Sequence, residues 1–414
     1  MAEIKLSTKT KQEKTFYDYF PDLRIFKKRN FFLEKTEKKK VQSFYLNCQI
    51  EDIEKKDKEI RNFLKDHKGV LLIPLKEKKT TVKYLLDYAE KIFPSLSIVV
   101  VNDESDEKVK KEIIKFKNVL LVDKEEILRI VNWSKLLPVL NLKKYPKGKG
   151  TTVMAGCLFL YLFKEKEDFW LFQTDADIRN YKEFQPLEYL IYGILSYPMA
   201  IQIKIAQGGR NNEANMAVRS SLIMLEDLKK VISSCEGKAL SQRAKDLFKK
   251  LTKYKWILGG TFALPNKVVF KRPFASGYLE EILICSFVED LAQKENQITV
   301  QVANSNPCQD SPNDFKKENT IVQMTSNFFF TLLLAKKPVC DWKIDDIVWI
   351  NKNLLSKEKP IVLIPPKEDE KEVIVEIVPQ ERIFPSIEML FDNGLIFEEK
   401  AKELKEKYIS FFKK

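Results

Sequence analysis

Histidine is almost missing from this chain: His67 is the only one in 414 residues. A single imidazole removes the Ser-His and Cys-His nucleophile–base pairs from consideration, along with zinc sites of the usual His/Cys kind. Cysteine is sparse as well. The six, Cys48, Cys157, Cys235, Cys285, Cys308 and Cys340, are widely scattered and form no Cys-x-x-Cys pair, so they read as reduced thiols of a cytoplasmic protein. Long apolar runs are also lacking. The longest, Val153 to Phe163 and Phe328 to Ala335, fall well short of the roughly 20 residues that cross a bilayer. The Lys-rich start, Met1 to Lys14, has no apolar centre and does not read as a secretory signal. No internal repeat or long low-complexity segment is present.

Carboxylates, lysines, hydroxyls and a hard metal are left to carry any chemistry. The composition, 44% hydrophobic and 32% charged, is that of a globular protein. The length accommodates one large domain with an appendage, or two of ordinary size. Lys and Arg number 72 against 59 Asp and Glu, a net charge of +13 that invites an anionic partner. The excess is dilute, however. Lys and Glu interleave through stretches such as Glu51 to Lys68 and Glu399 to Lys407, the pattern of solvated helix surface. No zinc-finger spacing, basic zipper or basic-aromatic ribonucleoprotein motif occurs, so nucleic acid is not an expected partner.

Along the chain, residues 1–65 mix aromatic clusters with Lys/Glu runs and read as an N-terminal extension that packs on the main domain. Its basic-aromatic patch, Arg24 to Phe32, could alternatively touch a membrane peripherally or a second subunit, packing being the favoured reading. From Gly69 the pattern changes. Val70 to Pro74, Ser97 to Val101 and Val119 to Val122 read as buried strands, with helical spacing over Thr80 to Ile92, which implies a parallel sheet flanked by helices. Ligands of such sheets sit at the strands' C-terminal ends. Lys147-Gly-Lys-Gly-Thr-Thr152 reads as a basic glycine turn opening a helix from Val153; it lacks Walker spacing, but backbone N–H groups, dipole and Lys149 favour phosphate. Pro186 to Leu251 reads as mainly helices, and Pro273 to Glu281 enters a helix running to about Ala292. Residues 331–414 read as a mainly helical C-terminal region.

The most informative segment is Phe169 to Ile178, where an apolar strand-like run ends in Asp175 and Asp177. Side chains alternate along a strand, so Asp-x-Asp at its frayed end delivers two carboxylates to one side, oxygen ligands of the kind Mg²⁺ or Mn²⁺ takes. The motif alone is common by chance; its context carries the inference.

Read in order, the elements Ile73 to Glu77, Val101 to Ser105, Gly148-Lys-Gly150, Thr174 to Ile178, Gly208-Gly-Arg210, Leu258 to Ala263 and Phe274 to Ile282 resemble a metal-dependent glycosyltransferase of the GT-A fold. More narrowly, the chain is similar to the glucosyl-3-phosphoglycerate synthase and mannosylglycerate synthase group over roughly residues 69 to 310. The resemblance implies an α/β GT-A domain over 66–330, with a nucleotide-sugar half at 66–180 and an acceptor half at 181–330. It implies a retaining enzyme, moving a hexose from a nucleotide-diphosphate sugar to a small anionic acceptor such as 3-phosphoglycerate or glycerate, in compatible-solute synthesis. Pro74, Leu75, Glu77, Asn102 and Ser105 would hold the nucleoside, and Lys149 would meet the donor near its phosphates. Asp177 would coordinate Mg²⁺ or Mn²⁺, with Asp175 beside it meeting the ribose or the metal shell. Arg210, Gly260 and Thr261 would hold the acceptor's anionic group, and Glu281 would face the reacting sugar or acceptor; Asp175, Asp177 and Glu281 form the catalytic set. The family's metal-binding histidine has no counterpart after Ile298 to Val302, where Asn306, Gln309 and Asp310 stand; Asp310 is the favoured oxygen ligand in its place. Leu279 also replaces the second glycine of the family's Gly-Tyr-Gly turn. Three further readings stay open: a phosphoinositol or lipid acceptor, a non-catalytic nucleotide-sugar-binding protein of the same fold, and, more weakly, a nucleotidyltransferase. A homodimer is the base-rate expectation for oligomeric state.

Overall fold

The structure, a computed structural model, describes residues 45–46, 50–66, 68–76, 81–105, 107–176, 178, 181–208, 260–277, 279–305, 337–353, 361–364, 373–376 and 381–412. Its centre is an eight-stranded sheet. In chain order the strands are β1 (Tyr45–Leu46), β2 (Gly69–Lys76), β3 (Ser97–Asp103), β4 (Val119–Asp123), β5 (Trp170–Gln173), β6 (Ala200–Gly208), β7 (Phe262–Pro265) and, after the short β8 (Phe274–Ala275) outside it, β9 (Ile298–Ser305). Their spatial order is β1-β9-β6-β7-β5-β2-β3-β4. All run parallel except β7, which is antiparallel to both of its neighbours.

The apolar runs seen in the sequence are continuous because both faces of the sheet are covered. In β2, Val70 and Leu72 enter one core while Leu71, Ile73 and Leu75 enter the other; β3 divides Val99 and Val101 from Ile98 and Val100 in the same way. Five helices matter here and are labelled in chain order: α1 (Val82–Ile92), α2 (Lys149–Lys164), α3 (Pro186–Ser196), α4 (Leu279–Glu295) and α5 (Glu398–Phe412). α2 and α4 cover the first face, α1 and α3 the second. Each fully buried Leu, Val or Phe contributes roughly 1.5–3 kcal/mol, so these two layers supply the bulk of the driving force.

Two sequence readings need correction. α2 begins at Lys149 rather than Val153, so the glycine-rich segment is its first turn and not a preceding loop. Glycines lower intrinsic helix propensity, but tertiary packing overrides it: Gly150 lies so close to β8 that a Cβ there would sit 1.6 Å from the Ala275 carbonyl oxygen. Thr151 Oγ1 then donates backward to the Pro146 carbonyl at 2.9 Å, and the Thr152 N–H to the Gly148 carbonyl at 3.2 Å. Second, the stretch read as mainly helices from Pro186 contains β6. A register irregularity between Ala200 and Gln202 turns Ile201 to the opposite core from Ile203 and Ile205 and breaks the period-2 pattern. Gln202 and Lys204 are fully buried on this strand, although their residue types read as solvated. The remainder of that stretch, 209–259, lies outside the described residues.

The C-terminal residues are built into the main body. β10 (Ile361–Ile364) and β11 (Val373–Glu376) form an antiparallel ribbon, and β12 (Ile383–Phe384) pairs antiparallel with β8. Beside that pair, Ser276 N–H donates to the Arg382 carbonyl at 3.0 Å and Arg382 N–H donates to Ser276 Oγ at 2.9 Å. Glu381 Oε2 accepts the Leu279 N–H at 2.8 Å, satisfying a donor of the first turn of α4. α5 returns across α2, with Phe163 and Phe412 stacked at 4.6 Å. No helix among the described residues is long and apolar enough to cross a membrane.

Candidate active site at the sheet edge

The reversed direction of β7 determines what gathers at the C-terminal edge of the sheet. Gln173, the last residue of β5, is paired with Phe262, the first of β7, so Thr174 and Asp175 leave the sheet beside the arriving Gly260 and Thr261. Thr174 Oγ1 and Thr261 Oγ1 are 3.2 Å apart, and Gln173 Nε2 donates to the Gly260 carbonyl at 3.4 Å. The Tyr181 hydroxyl donates to the Asp175 carbonyl. Asp175 is thus fixed through its backbone while its side chain turns to the charged groups at the sheet edge.

Three charged groups from three elements meet there. Lys149, the first residue of α2, places Nζ 2.6 Å from Asp175 Oδ1 and 2.9 Å from Glu281 Oε1, in the first turn of α4. Side-chain exposures of 29% for Lys149, 15% for Asp175 and 9% for Glu281 make this a recessed cluster, largely shielded from solvent screening. Burial opposes the Lys149 ammonium, but the charges of Asp175 and then Glu281 outweigh it and hold its pKa well above the ordinary lysine value. Glu280, one residue before Glu281, is buried against the guanidinium of Arg272 at 2.5 Å, and its Oε2 accepts the Ala275 N–H at 2.7 Å. Burial raises its pKa despite that guanidinium. Two consecutive glutamates therefore have separate tasks, Glu280 anchoring the helix start and Glu281 turned to Lys149.

Gly260 closes the cluster from the side. A Cβ there would lie 2.4 Å from Asp175 Oδ1 and 2.7 Å from Lys149 Nζ, so only glycine leaves both groups in place. A Gly260→Ala protein is expected to lose roughly 100-fold in any reaction that uses this cluster, the cost of a displacement of about 1 Å among reacting groups. Steady-state turnover alongside a melting curve checks this, since the loss should exceed any change in folding.

The expected nucleoside side forms at the adjacent strand ends. Leu75 is paired in register with Asn102 and Pro74 with Val101, and Asn102 lies beside Asp123 of β4, to which its Nδ2 donates. Asn102 Oδ1 accepts the Ser105 N–H at 3.0 Å. Ser105 Oγ is buried with no hydrogen-bond partner in the structure, an orphan hydroxyl of the kind a ligand satisfies. Asp103 ties β3 to α2: it pairs with the buried ammonium of Lys124, and Thr152 Oγ1 of α2 donates to its Oδ2 at 2.9 Å. Asp103, Lys124, Thr152 and Tyr181 escaped the sequence reading. Asp103 sits inside the quoted Val101 to Ser105 segment and Thr152 ends the quoted Lys147 to Thr152 segment, whereas Lys124 reads as surface charge.

Nine of the expected residues are therefore described, and Lys149, Asp175, Gly260, Thr261 and Glu281 come together, with Pro74, Leu75, Asn102 and Ser105 grouped at the neighbouring strand ends. Glu77, Asp177, Arg210, Asn306, Gln309 and Asp310 lie outside the described residues, as does the Arg24 to Phe32 patch. Among the described residues no three His, Cys, Asp or Glu side chains cluster in a way that could hold a metal ion.

A parallel sheet with one reversed strand, and a carboxylate delivered beside it at the C-terminal edge, define the GT-A class of fold. The solved structures similar to this chain say the same. Glucosyl-3-phosphoglycerate synthase from Mycobacterium tuberculosis, in complex with Mn²⁺, UDP and glucosyl-3-phosphoglycerate, superposes with a TM-score of 0.51 at 12% identity, covering 81% of this chain and 95% of that one. Mannosyl-3-phosphoglycerate synthase from Rubrobacter xylanophilus gives 0.51 at 14% identity, over 84% and 96%. The mycobacterial enzyme with Mg²⁺ and UDP gives 0.50 at 14%, over 84% and 99%. At these identities the likeness is one of fold. No family model and no curated protein matches the chain.

Proposed function

We propose that this protein is a retaining glycosyltransferase that moves a hexose from a nucleotide-diphosphate sugar to a small anionic acceptor of the 3-phosphoglycerate or glycerate type. The observation that carries the reading is the Lys149 ammonium held between Asp175 and Glu281 at the C-terminal edge of a GT-A sheet. Breaking the bond from the anomeric carbon to the diphosphate leaves negative charge on the phosphate and develops positive charge on the sugar. Lys149 is positioned to meet the first, and the carboxylates of Asp175 and Glu281 the second.

The donor chemistry at the edge also fits a hard divalent cation. Carboxylate oxygen is the ligand such an ion takes, and a recessed Asp175 beside a lysine suited to phosphate supplies it. Asp175 and Asp177 would hold Mg²⁺ or Mn²⁺, with Asp310 offering a carboxylate where the resembling family has histidine. When bound, the ion would neutralise charge on the departing diphosphate. The chain's own residues do the rest. The 75/102 strand ends and the Ser105 hydroxyl receive the nucleoside, Lys149 orients the diphosphate, and Gly260 and Thr261 lie where the acceptor approaches. With no imidazole among the described residues of the cluster, the acceptor hydroxyl passes its proton to the departing phosphate oxygen as the new bond forms on the same face of the sugar. That route retains anomeric configuration without a covalent enzyme intermediate.

The test is a panel of nucleotide sugars with and without Mg²⁺, read first by melting temperature and then by product formation with 3-phosphoglycerate and glycerate. A true donor at 100 times its Kd adds roughly 2.7 kcal/mol of stability, a rise of a few degrees in a chain of this size. If no activated sugar raises the melting temperature under either condition, the reading fails.

A further inference from the structure

On the sheet face covered by α1, a cavity of about 550 Å³ opens between the helix Asp57–Asp66, α1, the short helix Tyr181–Phe184 and the start of α3. Tyr88 and Glu188 form its buried floor, and Arg61, Lys91 and Lys182 stand exposed around it. Gln185 also lines it and is unusual in two respects. Its backbone sits at φ 45° and ψ 49°, a left-handed conformation costing a glutamine on the order of 1–2 kcal/mol. Its Oε1 is buried with no hydrogen-bond partner in the structure. A left-handed residue and an orphan acceptor in the wall of one cavity indicate a place organised for something the chain itself does not supply.

The charges indicate what that is. Asp57 holds Arg61 through both carboxylate oxygens at 2.7 Å, which cancels that pair. The Tyr88 hydroxyl donates to Glu188 and accepts the Leu187 N–H at 3.2 Å. Burial pushes the Glu188 carboxyl up to about 8, so at neutral pH the floor is mostly uncharged. Lys91 and Lys182 then outweigh Glu54 at the opening and leave it positive. We propose that this cavity is a second ligand site, distinct from the transfer site, for a small polyhydroxylated anion of the sugar-phosphate class. Ligand hydroxyls donate to Gln185 Oε1, and the anionic group lies against Lys91 and Lys182. Tyr88 stacks on Tyr181 at 5.9 Å and 18°, and the Tyr181 hydroxyl holds the Asp175 carbonyl, so two aromatic rings connect the cavity to the site proposed for the donor.

Calorimetric titration of the full chain tests this with glucose 6-phosphate as the probe and inorganic phosphate as the comparison. The expected result is saturable glucose 6-phosphate binding that persists in Lys149→Met and weakens at least about 10-fold in a Lys91→Met/Lys182→Met double variant. It should also weaken in Gln185→Asn, whose asparagine tolerates the left-handed backbone but withdraws the oxygen. Absence of binding at millimolar concentration overturns the proposal. So does binding lost in Lys149→Met but kept in the lysine pair, which places the ligand in the transfer site, and so does inorganic phosphate binding as tightly as the sugar phosphate. Binding is read without turnover, and neither lysine belongs to the Lys149 cluster, so failure here is distinguishable from failure of the glycosyltransferase reading.

Discussion

A Lys149→Met protein is expected to lose the proposed sugar transfer by roughly 100- to 1,000-fold, the range seen when one preorganised charge-stabilising group is removed from a catalytic centre. Methionine keeps most of the length and removes the cation. What remains is Asp175 facing Glu281 across the space Nζ occupied, at 2.6 and 2.9 Å from the two carboxylates. Breaking a recessed ion pair from one side also destabilises the fold, by about 3 kcal/mol at neutral pH. The sign of the pH dependence separates this from a simple loss of packing. Removing the cation that both carboxylates contact makes their charged forms less favourable in the folded state, so the folded variant binds more protons than the folded parent. The unfolded chains bind protons alike, so the variant's stability relative to the parent falls as pH rises through the carboxylate range and recovers as pH falls. Relative to the parent protein, the variant's melting temperature should recover as pH falls from 7 toward 5. A variant that keeps full turnover, or whose relative stability is flat across that range, would show that Lys149 is not the counter-ion of both acids.

How far the sequence revealed this site depends on how local each interaction is. β2, β3 and β4 are legible because each is a short apolar run bounded by polar residues and covered on both faces, so residue type alone marks them. Asp175 is legible because it terminates such a run, and Lys149 because a basic residue flanked by glycines precedes an apolar helix. Glu281 was reached only through the ordered resemblance, since its neighbour Glu280 has the same chemistry and an unrelated partner, Arg272. The Asp103–Lys124 pair was not legible. Its ion pair closes between the ends of neighbouring parallel strands, and each residue by itself reads as solvated. β6 was missed because one irregularity moves Ile201 out of phase and two polar side chains are buried beside it. The Glu381 contact with Leu279 spans 102 residues, and no pattern within either segment announces it.

Gly150→Ala is the second substitution with a large expected effect, and its sign runs against helix propensity. Inside a helix, alanine ordinarily stabilises over glycine by about 1 kcal/mol. Here the added methyl would lie 1.6 Å from the Ala275 carbonyl oxygen and 2.8 Å from its carbon, both backbone atoms. β8 cannot retreat cheaply, because β12 is paired to its other side and Ser276 and Arg382 exchange hydrogen bonds just beyond. Moving α2 instead would drag Lys149, its adjacent residue, away from Asp175 and Glu281. Either way the clash falls on the junction that joins the site to the fold. The expected outcome is a loss on the order of 3 kcal/mol or more in urea unfolding, with donor-dependent stabilisation reduced in whatever folded protein remains. An alanine variant as stable as the parent would mean that α2 does not meet β8 at this distance. The placement of Lys149 at the sheet edge, which depends on that contact, would then need to be redrawn.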